Sequence, residues 1–320
     1  MSAIRTVQLR RTFGELVAVA GLDLDVAEGE IFGLVGPDGA GKTTTMRMLT
    51  GILPPTGGSA QVAGCDVGRD TGKLKTHIGY MSQRFGLYPD LTVSENLAFY
   101  ADIYGVPARE RAARTERLLG FSHLTPFKQR LAGALSGGMK QKLGLACALI
   151  HTPRVLFLDE PTNGVDPVSR RDFWRILYQL VREGVTIFVS TAYLDEAERC
   201  NRLALLHQGR LLGLGTPDEV KQLMPGALLE VRTSAPRRTA LLLREKLAGA
   251  TVGLFGDRVH IATRDVGAAE TQARALVAAA GFELLSIRPI EPSLEDVFVS
   301  VVAHGSASPT DAPGAPAAAL

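Results

Sequence analysis

The chain has 320 residues, of which 46% are hydrophobic and 21% charged. That is about two globular domains' worth of sequence with enough apolar side chains for a sizeable core, which excludes disordered and fibrous classes. With 35 basic residues against 33 acidic ones, a net charge of +2, there is no general electrostatic reason to expect DNA or RNA as a partner.

In chain order, the N-terminal MSAIRTVQLRR lacks the apolar centre of a secretion signal, and no later apolar run reaches the ~18 residues of a membrane span. Glu30–Gly36 (EIFGLVG) is a short apolar run closed by glycine, and Lys42–Leu49 has helical period. From Tyr88 to Ile150 the pattern is helical throughout: SENLAFYADIYG, ARERAARTERLLG, then SGGMKQKLGLACALI. Val155–Asp159 (VLFLD) and Val185–Ser190 (VTIFVS) read as further buried strands, with helix-period Arg171–Arg182 between them. Short buried strands interleaved with helices predict an α/β domain with a largely parallel sheet, over 1–222, with a helical subdomain at 88–150. Its middle piece, rich in Arg and Glu, reads as a solvated face.

After Met224-Pro225-Gly226 the pattern changes. LLEVRTS, RRTALLLREKLAG, TVGLF-GD-RVHIAT, AAETQARALVAAAG and FELLSIRPI predict β-α-β-β-α-β, a small α+β ferredoxin-like domain over 223–303, with a last helix capped by Ser293. Its charged residues Glu230, Arg237, Arg238, Glu245 and Lys246 follow amphipathic spacing and read as solvated faces. The Ala/Pro/Ser-rich tail, 304–320, is expected to be disordered. Three scattered cysteines, Cys65, Cys147 and Cys200, suit a reducing compartment rather than a disulfide framework.

Gly36-Pro37-Asp38-Gly39-Ala40-Gly41-Lys42-Thr43 fits G-x-x-x-x-G-K-[ST] at every fixed position, between a predicted strand and a predicted helix. Such a loop turns consecutive N–H groups onto phosphate oxygens at a helix start. Lys42 supplies a point charge for β/γ-phosphates, the Thr43 hydroxyl a ligand for Mg²⁺, and Thr44 joins the same set. Asp38 occupies a free position and is expected to point away from phosphate. Asp159 ends a hydrophobic strand, where ligands of parallel sheets sit, and would hold Mg²⁺; Glu160 follows it as a candidate general base for water. Leu135-Ser136-Gly137-Gly138-Met139 makes a second anion-binding helix start. Two such grips about a hundred residues apart suit two protomers arranged head to tail, each facing the other's nucleotide.

On these residues the sequence resembles the ATP-binding cassette (ABC) ATPases across residues 1 to about 222, with Met139 in place of the last residue of LSGGQ. Alone, Phe13 reads as a core aromatic and Gln83 as a surface polar group. The resemblance makes Phe13 the adenine-stacking aromatic, Gln83 the Q-loop glutamine near Mg²⁺ and the reacting water, and Asn163-Gly164-Val165-Asp166 the loop that crosses the dimer interface. It implies Glu160, Gln83 and Lys42 as catalytic groups, and ATP and Mg²⁺ as substrate and metal. It is similar above all to single-cassette ATPases of ABC-2-type exporters, including drug-efflux ones, which share ERCNRLALLHQGRLLGLGTPDEV and the terminal EPSLEDVFV. The resemblance thus implies an ABC-2-type permease and a second cassette as partners, and a place on the cytoplasmic face of the cell membrane. Arg84–Thr92 is the expected permease contact.

One departure stands out. Where the family has S-T-H with a switch histidine, this chain reads Ser190-Thr191-Ala192, with no histidine from 152 to 206. Loss of a positioned group of that kind costs ~10²–10⁴ in rate, so weak or asymmetric hydrolysis is expected. The alternatives are a regulatory cassette that binds ATP with little turnover, or a soluble ABC ATPase not coupled to transport. Against the latter stand the single cassette and the absence of sustained heptads between Thr43 and Leu135.

Overall fold

An apolar run that is buried along its whole length fits only an inner strand of a sheet covered on both faces. The computed structural model, which describes residues 1–83, 86–224 and 226–305, has several such runs. Its chain forms two compact units, Met1–Pro217 and the segment from Asp218 on. The first begins with the strands β1 (Ser2–Phe13), β2 (Leu16–Ala27) and β3 (Ile31–Val35), followed by helix α1 (Lys42–Leu49). Next come β4 (Gly57–Val62), β5 (Cys65–Asp66), α2 (Thr71–His77) and β6 (Ile78–Met81). The helical stretch contains α3 (Val93–Ile103), α4 (Ala108–Phe121) and α5 (Gly137–Leu149). The unit continues through β7 (Val155–Asp159), α6 (Pro167–Arg182), β8 (Thr186–Thr191), α7 (Leu194–Ala197), β9 (Arg202–His207) and β10 (Arg210–Gly215).

The six-stranded sheet runs β10-β9-β3-β8-β7-β6, parallel from β9 to β6 and antiparallel at β10. Its two faces alternate along each strand. In β7, Leu156 and Leu158 pack with α3, α5 and α6, around Trp174 and Phe173, while Val155 and Phe157 pack on the opposite side with Met46 and Met48 of α1. Phe32 and Phe188 stack at 5.4 Å on that second side. The sequence predicts one largely parallel sheet, and β2-β1-β4-β5 form a separate antiparallel sheet beyond it. Repeated register shifts between β1 and β2 break the period-2 alternation that would announce such strands. All three cysteines of the chain are free and buried in this unit.

A short helix, α8 (Pro217–Lys221), leads to β11 (Ala227–Thr233), α9 (Pro236–Lys246), β12 (Ala250–Phe255), β13 (Arg258–Thr263), α10 (Val266–Ala279), β14 (Leu284–Ile290) and α11 (Leu294–Gly305). The sheet of this second unit has the order β12-β13-β11-β14, antiparallel in every pair. Leu229, Val231, Val259 and Ile261 form its core with α9 and α10. Ser293 Oγ accepts from the Asp296 N–H at 3.3 Å, and Asp296 Oδ2 from the Ser293 N–H at 2.9 Å, a reciprocal cap for α11. Glu230 corrects the sequence reading. It is only 2% exposed, and lies between Arg258 (2.8 Å) and Arg288 (3.0 Å) from the flanking strands. Residues 306–320, most of the expected tail, lie outside the described residues. Among the described residues no helix is long and apolar enough to cross a membrane.

Candidate active site

The site is built where β3, β7 and β8 end. Between β3 and α1 the chain curls through Gly36–Gly41. Gly41 sits at φ +101°, and a Cβ there would stand 2.5 Å from the Ala18 carbonyl oxygen, so a side chain would both strain and collide. The curl delivers Lys42, 4% exposed, into the loop's interior. Its Nζ donates to the carbonyls of Gly36 (2.7 Å) and Pro37 (3.0 Å) and pairs with Glu160 Oε1 at 3.0 Å. The next residue, Thr43, donates from Oγ1 to Asp159 Oδ1 at 3.1 Å.

Asp159 is buried at the end of β7 and also accepts from Ser190 Oγ at 2.7 Å and Tyr80 Oη at 3.5 Å. Burial, and then the Asp159 carboxylate, push the Tyr80 phenol up to about 12, so it remains a protonated donor. Glu160 follows at φ +49°, an uncommon backbone for a side chain of this kind. Its N–H is held by the Ser190 carbonyl (3.2 Å) and Oγ (3.0 Å). Its second carboxylate oxygen accepts from Gln83 Nε2 at 3.2 Å and Asn163 Nδ2 at 3.3 Å. Three segments far apart in sequence therefore meet, bringing together Lys42, Gln83, Asp159 and Glu160, with Thr43 beside them.

All of these but the buried Asp159 line a cleft of about 740 Å³, together with Thr44, Asp38, Gly39, Gly41, Phe13, Leu16, Val17, Ala18 and Gln208. Phe13 is exposed there, with the Arg11 guanidinium 4.6 Å from its ring centre. Gly36, Pro37 and Ala40 shape the loop from behind and are not among the lining residues. Asp38, expected to turn away, lines the cleft; its exposed carboxylate stays hydrated, so nothing forces it out. Thr43 and Asp159 present hard oxygen donors within hydrogen-bond distance of each other, the donor chemistry that Mg²⁺ takes.

Ser136 caps α5, accepting from the Met139 N–H at 3.4 Å. It and Gly137 and Gly138 are not among the residues lining the cleft. Gly137 faces open space, whereas a Cβ on Gly138 would stand 2.5 Å from Ser169 Oγ on α6. Beside Ala192 lies a second cavity, about 120 Å³, lined by Asp38, Glu160, Thr162, Asn163, Thr191, Ala192 and Tyr193. Of the expected permease contact, Arg84 and Phe85 lie outside the described residues; Tyr88 is exposed and packs edge-on against Phe99 at 4.5 Å.

Sequence reasoning did not find Tyr80, Ser190, Tyr193 or Gln208. Ser190 and Tyr193 had a signal, their positions in and next to the Ser190-Thr191-Ala192 stretch. The buried Glu196 was also missed. It accepts from Thr162 (2.6 Å) and Thr191 (3.0 Å) and pairs with Arg170 at 3.3 Å, tying together the loops after β7 and β8.

Residues 19–163 match the family model described as ABC transporter. The chain is 45% identical over 298 residues to the probable multidrug ABC transporter ATP-binding protein YbhF of Escherichia coli (strain K12), covering 92% of this chain and 50% of that protein. It thus spans half the length of that relative. It is 36% identical over 307 residues to the daunorubicin resistance ATP-binding protein DrrA2 of Streptomyces coeruleorubidus, covering 94% of this chain and 95% of that one. Among solved structures it resembles a dimeric ATP-binding cassette in a post-hydrolysis state with ADP and Pi. The TM-score is 0.60 at 25% identity, over 67% of this chain and 98% of that one.

Proposed function

Since the chain belongs to the ABC transporter ATP-binding family, we propose that it binds and hydrolyses ATP to power export through a separate ABC-2-type membrane permease. The observation that carries this is the meeting of Lys42, Thr43, Gln83, Asp159 and Glu160 at one mouth of the sheet. In this reading Phe13 stacks on adenine, and the N–H groups of the loop from Gly36 to Thr44 take the phosphates. Lys42 then exchanges Glu160 for the β/γ-phosphate oxygens. Freed from Lys42, Glu160 accepts a proton from the attacking water as its oxygen bonds to the γ-phosphorus and the bond to the β,γ-bridging oxygen breaks. Thr43, Asp159 and Gln83 would hold Mg²⁺, which when bound would supply charge neutralisation for the phosphate oxygens.

Ser136, Gly137 and Gly138 stand apart from the cleft, so a second cassette supplies them to the nucleotide, as a homodimer or a heterodimer. The dimeric relative with ADP and Pi supports that reading. Through the permease the chain is held at the cytoplasmic face of the membrane, and the drug-export names of its relatives point to multidrug efflux. The division into a cassette to 222 and an accessory domain over 223–303 belongs to the same proposal.

Ala192 favours one second reading, a cassette that holds ATP and turns it over negligibly. One set of measurements separates them: ATP binding and phosphate release by the purified chain, alone and with its co-expressed permease. Phosphate release that requires Lys42 supports the pump; tight binding with no release in either form supports the second reading; no binding defeats both.

A further inference from the structure

The cavity beside Ala192 is ringed by a hydrogen-bonded chain that ends on Glu160. Tyr193 Oη donates to Asn163 Oδ1 at 3.4 Å, and Asn163 Nδ2 donates to Glu160 Oε2 at 3.3 Å. An ionised carboxylate accepts only, so the amide must turn its nitrogen to Glu160 and its oxygen outward, where it needs a donor. From the lining of that cavity, the Tyr193 hydroxyl meets that need.

The far end of the chain is fixed. The Arg170 guanidinium lies 4.3 Å from the Tyr193 ring centre, and Arg170 is itself paired with the fully buried Glu196. Glu196 in turn grips Thr162 and Thr191, the residues immediately before Asn163 and Ala192. Tyr193 and Asn163 therefore stand on a shared rigid base, and the lengths of their two hydrogen bonds suit a site that tightens when substrate arrives. The cavity they border has room for a few water molecules at ~30 Å³ each.

We infer that Tyr193, through Asn163, is a positioning residue that orients Glu160 toward the attacking water, in place of the imidazole that Ala192 lacks. This rests on the ATPase reading above and adds to it which groups make hydrolysis possible without the histidine. Tyr193 touches neither nucleotide nor water in this role; it acts only through the Asn163 amide.

The test is steady-state ATP turnover by the purified full-length chain with Mg²⁺, in two backgrounds, the parent and Ala192→His. In the parent, Tyr193→Phe is expected to lower kcat about three- to tenfold, the worth of one neutral hydrogen bond, with KM for ATP and the thermal unfolding midpoint nearly unchanged. In the Ala192→His background the same change is expected to cost less than about twofold, because the imidazole takes over the role. Asn163→Leu interrupts the chain from the other side, and combining it with Tyr193→Phe is expected to cost no more than Asn163→Leu alone. A Tyr193→Phe effect equal in both backgrounds, or additive with Asn163→Leu, overturns the inference and leaves the ATPase reading intact. So does an unchanged kcat. A parent that binds ATP without turning it over overturns the relay while sparing nucleotide binding; a parent that does not bind ATP fails the functional reading first.

Discussion

Lys42 and Glu160 are 4% and 10% exposed and 3.0 Å apart, so each is the other's counter-ion. A triphosphate has to take Lys42 away from a carboxylate, and the affinity observed for ATP is the difference between two ionic contacts. Glu160→Gln removes the competitor without changing shape. It is expected to lower turnover by about 10²–10⁴ while tightening ATP binding, read by nucleotide titration; weaker binding would contradict the exchange. Lys42→Ala is expected to abolish ATP binding and to lower the denaturation midpoint, because it leaves Glu160 nearly buried without its cation. Ala192→His, facing the cavity beside Glu160, is expected to raise kcat in the parent; an unchanged or lower kcat would count against weak hydrolysis caused by the missing histidine.

Helix α5 starts at Gly137 and lies close enough to α6 that a Cβ on Gly138 would stand 2.6 Å from Ser169 Cβ. Gly138→Ala is therefore expected to push the two helices apart, at about 1–3 kcal/mol. Ser169→Gly in the same chain is expected to restore most of it, as read by urea denaturation. The mouth of the site was legible at this scale. VLFLD and the Gly36–Thr43 loop name their own strand, turn and helix, because a fully buried parallel strand and a phosphate loop have patterns that depend on few distant partners. What was not legible depends on partners distant in the chain. Glu230 follows amphipathic spacing on its own strand, yet its cations are Arg258 and Arg288 on two neighbouring strands. Tyr193 and Asn163 are thirty residues apart, and only the folded loops reveal that they meet.

For the molecule as a whole, acid acts on the second unit through two carboxylates. Burial pushes Glu230 and Asp296 up, but hydrogen bonds from Arg288 and Arg258 to the first, and from His260 and Ser293 to the second, outweigh it and hold both below their ordinary values. Such groups stabilise the fold above the unfolded carboxylate value of ~4, and that contribution is lost as pH falls through the lower folded value. Protection of the β11 and α11 amides, with exchange corrected for its intrinsic pH dependence, is expected to fall as pH drops below the unfolded carboxylate value of ~4, less so in Glu230→Gln with Asp296→Asn. The first unit carries a different reporter. Cys65, Cys147 and Cys200 are all the thiols of the chain, all buried there, and burial pushes the latter two well above the ordinary thiol range. A disulfide reagent can reach them only when that unit opens, so the pace of labelling clocks its breathing with no engineered probe. Added ATP, binding the closed form alone, is expected to slow that clock.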